Sequence, residues 1–153
     1  MHLEKTTPDL KHLLSLAVAW AERQSEIIQN SGSPLSLPEL DLARRMGVVK
    51  PEEIRLQIVE EIPTPTNSTL SKFADSLGLL DRRMAGLTLG YSIFILKGKR
   101  SNRIISHECR HVFQYEQAGS MQMFIEEYIS QLIQFGYANS PFEQDAYAHE
   151  TDI

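Results

Sequence analysis

His107 and His111 stand four residues apart in the run His107-Glu108-Cys109-Arg110-His111, with an acid directly after the first histidine. On a helix, positions i and i+4 lie about 40° apart around the axis, so two imidazole nitrogens can be aimed at one metal ion about 2.0–2.1 Å away. Zinc (Zn2+) suits such a pair, which supplies half of its tetrahedron. Glu108 follows His107 about 100° round the helix and flanks that ion, where its carboxylate can take a proton from an activated water. The expected chemistry is metal-assisted hydrolysis with Glu108 as general base. Two ordinary histidines on an amphipathic helix would show the same spacing, and a chain with five His in 153 residues has material for either. Arg110, adjacent to His111 and on the flank opposite Glu108, is expected to point away from the ion.

A catalytic zinc takes a third protein ligand and keeps one position open for water. Glu143 is the best candidate, in Ser140-Pro141-Phe142-Glu143-Gln144-Asp145-Ala146-Tyr147. Ser140 is a good N-cap, Pro141 suits the first helical position, and Glu143 falls three after the Ser, where it could instead close a capping box. Ala146, one turn on, would let this helix approach the first closely. His149 and Asp145 are the rival ligands. Amide hydrolysis also needs a donor for the developing oxyanion, for which Tyr137, Tyr147 and His149 compete; Tyr147, one turn from Glu143, is preferred. Gln114, three residues beyond His111, could orient a histidine.

Residues His107 to Gly119, HECRHVFQYEQAG, followed by Phe124, Tyr128, Gly136-Tyr137 and the PFEQDAY segment, resemble small bacterial zincin-like proteins of the gluzincin type. The resemblance runs from about residue 86 to 148. It implies His107, His111 and Glu143 as ligands, Glu108 as base and a peptide or protein substrate. It also implies that the strand just upstream of the motif edges the cleft and pairs with an extended peptide. A second expectation, from a different class, is a non-catalytic zincin-like interaction protein that binds a partner through that edge strand and keeps its metal for stability.

At 153 residues the chain has the length of a single domain, spanning 1–153, that can bury about two-thirds of its unfolded surface. Its net charge of −5 argues against a nucleic-acid partner, which would need a basic face. The lone Cys109 cannot form an internal disulfide and reads as a small buried apolar residue, consistent with a reducing compartment. The apolar run Leu13 to Trp20 is too short and too interrupted for a signal peptide, and no run reaches a membrane-spanning length. The expectation is a cytoplasmic protein with no membrane partner.

The elements that must position the motif are legible in outline. Thr7-Pro8-Asp9 opens a helix to about Gln29, ended by Asn30-Ser31-Gly32. A short helix follows Ser36-Leu37-Pro38 and stops at Gly47, with Arg44 and Arg45 solvated in its last turn. Ile54 to Val59 alternates as a half-buried strand, and Pro63 to Asn67 is an extended connector. Ser68 or Ser71 caps a helix to about Leu77, broken by Gly78. Leu87 to Leu96 is the strongest strand signal, and Gly90 within it suggests a bulge or a close backbone approach. Lys97 to Arg100 reads as a solvated polar turn. Ser101 or Asn102 caps the motif helix, Phe124 to Phe135 forms another, and the tail after Ala148 is expected to fray. The expected fold class is α+β: a zincin-like minimal core with a small, mostly antiparallel sheet packed on helices that include the motif helix.

Overall fold

A computed structural model describes residues 9–80 and 84–153. Among them lie six helices and one three-stranded sheet, an α+β fold. Thr7 and Pro8, expected to open the first helix, fall outside the described residues. Asp9 is the N-cap of α1 (Leu10–Ser31), and Gly32 closes it.

Ser36 and Glu39 form a complete capping box at the start of α2 (Leu37–Arg45): the Ser hydroxyl accepts from the Glu39 amide and the Glu carboxylate accepts from the Ser36 amide. Glu39 also receives the Arg100 guanidinium in two bonds of 2.9 and 2.6 Å, so Arg100 is not simply solvated as its turn suggested. Strand β1 (Arg55–Val59) follows, then the connector and α3 (Ser68–Ser76). The cap of α3 is Asn67 rather than Ser68 or Ser71, its side-chain oxygen accepting from the Leu70 amide at 2.9 Å.

The long strand signal from Leu87 to Leu96 is a hairpin. It divides into β2 (Gly86–Leu89) and β3 (Ser92–Leu96), with Gly90 at φ +67° in the turn between them, not in a bulge. The sheet order is β1-β3-β2, and the sheet is mixed rather than mostly antiparallel: β1 runs parallel to β3 and β2 antiparallel to it. As the middle strand, β3 is covered on both faces, which is why its residues read as an unbroken apolar run. Ile93 and Ile95, with Leu56 of β1, pack on α4 (Asn102–Ala118) and α2. Phe94, with Leu87 and Leu89 of β2, packs on α1 and on α5 (Met121–Phe135).

Ser101 caps α4, its hydroxyl accepting from the Ile104 amide at 3.2 Å, and Gly119 ends it at φ +94°. This helix is buried around most of its circumference. Ile105, Cys109 and Val112 are fully buried in the core beneath the sheet, while His107, Glu108 and His111 look toward a cleft. Ser120 caps α5, which begins three residues before its expected start. The last helix, α6 (Pro141–Ala148), packs on α4. No helix among the described residues is long and apolar enough to cross a membrane.

Candidate metal centre

The two histidines project from successive turns of α4 with ring centroids 4.9 Å apart. Glu143, from the first turn of α6, enters between them. Its Oε1 lies 3.3 Å from His107 Nε2 and its Oε2 3.3 Å from His111 Nε2. All three side chains are buried, and one donor atom from each falls within 4.8 Å of the others.

Short α6 can place Glu143 there because of its start and its packing face. Ser140, fully buried, accepts from the Glu143 amide at 3.2 Å, Pro141 begins the helix, and Ala146 at 0 % exposure allows close approach to α4. The capping box is only half made. Whereas Glu39 turns back to its cap, the Glu143 carboxylate faces the imidazoles and the Tyr128 hydroxyl, which donates to it at 2.7 Å. Asp145 and His149 are engaged elsewhere: Asp145 binds Arg110 at 2.8 and 3.3 Å, and His149 Nδ1 donates to the Asp145 carbonyl at 2.8 Å. Arg110 points away from the cluster. It also donates to the Met46 carbonyl and lies 4.1 Å over the Phe113 ring.

Each histidine is held through its far nitrogen. Gln114 donates its Nε2 hydrogens to the Phe142 carbonyl and to Asp145, so its oxygen faces His111 Nδ1, 2.8 Å away, and that nitrogen carries a hydrogen. Glu150 does the same for His107 from a carboxylate, with Nδ1 to Oε2 at 2.9 Å. Both Nε2 atoms are thereby turned toward Glu143. Such outer partners are what metal-binding histidines ordinarily carry. The donor set of two imidazole nitrogens and one carboxylate oxygen is one that catalytic zinc takes, and the side left open faces the cleft.

Electrostatics fit a site that holds cations. Burial alone would lower the pKa of His111, but the charge and hydrogen bond of Glu143, with the Glu108 charge and the bond to Gln114, together more than offset it and lift the value from 6.5 to about 9. Burial also opposes the charged form of His107, which is nonetheless raised by its bond to Glu143 and by the charges of Glu108 and Glu143, against the neighbouring His111. Burial pushes the Glu143 carboxyl up, yet the two histidines and Tyr128 together hold it well below the carboxylate range. Cys109, within the motif, is buried, and burial pushes its thiol far up, so it is neither ligand nor nucleophile.

Glu108 stands on the cleft side of α4 and is held by β2. Thr88 donates to its Oε1 at 2.7 Å. Gly86 leaves room for the other oxygen, since a Cβ there would sit 2.9 Å from Oε2. The cleft has a volume of about 770 Å³ and runs from His107, Glu108 and His111 between α1, α3, β2 and α5. Its walls are largely apolar, with Trp20, Phe73, Leu77, Leu87 and Phe124 among them. Tyr137 lines it. Tyr147 does not: it is 48 % exposed and sets its ring edge-on to His107, with centroids 4.9 Å apart.

The structure brings together His107, Glu108, His111 and Glu143, and leaves Tyr147 at the margin. Thr88 and Gly86 carry no signal in sequence beyond the strand. Tyr128 was visible only through the resemblance, and Glu150 lies in the tail expected to fray. That tail is docked instead. The Thr151 amide donates to Ser106 Oγ at 3.0 Å, Asn102 donates to the Asp152 carbonyl at 3.2 Å, and Arg45 donates to the Ile153 carbonyl.

A scan against protein-family models finds no match to the chain, and searches of curated proteins and of solved structures find none either.

Proposed function

We propose that this chain is a zinc-dependent, metallopeptidase-like hydrolase of the cytoplasm, zincin-like in its site, that cleaves a peptide bond. One observation carries the reading: two imidazole Nε2 atoms, each fixed through its Nδ1, converge with Glu143 on the wall of a cleft that Glu108 also lines.

His107, His111 and Glu143 would hold the ion. When bound, zinc lowers the pKa of a water toward neutrality and polarises a carbonyl oxygen. Thr88 occupies one oxygen of Glu108 and leaves Oε2, beside Gly86, to accept the proton of the attacking water and return it to the leaving amine. Strand β2 lies at the sheet edge and lines the cleft, so an extended peptide can add to it, with the apolar walls receiving its side chains. Of the tyrosines weighed as oxyanion donors, Tyr137 takes the role from Tyr147, because it lines the cleft.

The test is zinc content together with peptidase assay. Parent protein is expected to carry about one zinc per chain and His111→Ala to lose it, since removing one of three ligands greatly weakens the site. Full zinc retention in His111→Ala overturns the reading. Zinc binding with no peptide hydrolysis under any condition leaves the metal-stabilised interaction protein in its place.

A further inference from the structure

Beyond α6 the chain doubles back along the first two turns of α4, and this return is built into the histidine cluster. Glu150 places one carboxylate oxygen 2.9 Å from His107 Nδ1 and the other 3.2 Å from an Arg103 guanidinium nitrogen. Its neighbours fasten the same segment. Thr151 meets Ser106, which is fully buried, and Asp152 meets Asn102. Glu150 is thus held from both sides, with its own side chain 16 % exposed and that of His107 10 % exposed.

An imidazole has two nitrogens, and a carboxylate can only accept a hydrogen bond, so the His107 nitrogen facing Glu150 must carry the hydrogen. Nε2 is then the nitrogen left to bind a cation, and the ring plane is set by two contacts rather than by torsional preference. The two histidines differ in this respect. His111 is oriented by a neutral amide, Gln114, whose hydrogens are spent on the Phe142 carbonyl and Asp145. His107 is oriented by a charged carboxylate, which strengthens the ring as an electron donor more than an amide does.

We propose that Glu150 is a positioning residue of the metal centre. It acts through His107 by fixing the nitrogen and the ring direction presented to the ion, so that docking of segment 149–153 on α4 completes the site. This inference rests on the zinc reading above.

The experiment measures the affinity of purified full chain for zinc ion alone, by competition with a chromophoric chelator, in parent, Glu150→Ala, Glu150→Gln and Gln114→Ala. Loss of an outer partner of a metal-binding histidine typically weakens affinity about 10–100-fold, and Glu150→Ala is expected in that range. Glu150→Gln, whose side-chain oxygen can still accept from Nδ1, should recover much of the loss. Gln114→Ala should lose less than Glu150→Ala. In the zinc-loaded parent, nitrogen-15 spectra should show a slowly exchanging Nδ1 hydrogen on His107 that exchanges rapidly in Glu150→Ala. A parent that binds zinc beside a Glu150→Ala variant that binds it equally tightly overturns this proposal alone. Equal losses in the Ala and Gln variants, tracking a matching fall in metal-free melting temperature, also overturn it and make Glu150 a merely structural residue. A parent that takes up no zinc sinks this proposal together with the zinc reading.

Discussion

Glu108 and Glu143 are both buried carboxylates beside the same histidines, yet their partners differ. Glu143 is surrounded by donors on both oxygens, whereas Glu108 has Thr88 on one oxygen and packs the other against Gly86, where no donor among the described residues meets it. A group tied on every side suits a ligand, and one with an oxygen to spare suits a base. Glu108→Gln should therefore lower hydrolysis by about 10²–10⁴-fold while zinc content stays at the parent level; undiminished turnover would place the base elsewhere. The metal-free cluster should also titrate. His111 moves from 6.5 to about 9 on folding, so its contribution is complete below about 6.5 and is lost as pH rises through 9. The Glu143 shift has the opposite sense, present above about 4.5 and lost as pH falls below it. Urea midpoints of chelator-treated protein should accordingly decline between pH 6.5 and 9, and His111→Gln should flatten that decline. An unchanged slope in the variant would refute the assignment.

At the scale of elements, β2 is the piece that positions Glu108, the proposed base. Its inward residues, Gly86 and Thr88, face α4, while Leu87 and Leu89 turn to the opposite core. In Gly86→Ala the new methyl would meet the end of the Glu108 side chain, which can swing aside at little cost to the fold. We expect that variant to keep its zinc and lose no more than about 1 kcal/mol of stability, with a clear fall in hydrolysis, because catalytic geometry tolerates little displacement. Normal activity would mean that Glu108 does not act from the position seen here. Helix α2 is tied to the turn after β3 by the Arg100–Glu39 pair, with the Glu39 carboxyl held low first by its bond to Arg100. Its stabilisation is present above about pH 4.5 and fades as pH falls below that.

For the molecule as a whole, α4 serves two purposes on opposite sides. Ile105, Cys109 and Val112 sit at 0 % exposure in the core shared by α2, β1 and β3, and His107 and His111, the proposed ligands, lie on the other side facing α6 and the cleft. Ile105→Ala should cost about 2–5 kcal/mol by leaving a cavity, yet preserve the zinc stoichiometry of the fraction that folds. A metal bound at the junction of α4 and α6 should also tie these helices together. Ligand binding stabilises a fold by about 4 kcal/mol when free ligand exceeds Kd a thousandfold. Excess chelator should therefore lower the melting temperature of the parent far more than that of Glu143→Ala. Equal responses in two proteins that both hold zinc would reduce Glu143 to a helix cap.

Helical spacing alone was enough to pair His107 with His111, to put Glu108 at their side, to direct Arg110 away and to bury Cys109, because these relations repeat within one or two turns of a single helix. Caps and glycines likewise marked most helix ends, Ser36 and Ser101 among them, since capping is local chemistry. Three matters were decided only by tertiary structure. Glu143 could close its own capping box or turn to the histidines, and the choice depended on α6 packing against α4 through Ala146. The apolar run around Gly90 could be one bulged strand or two, and pairing of β3 with both neighbours made it a hairpin within a mixed sheet. Glu150 looked like part of a loose tail. It became the partner of His107 because Ser106, Asn102 and Arg103, more than forty residues earlier in the chain, present the bonds that hold it, and no pattern within the tail itself encodes contacts so distant.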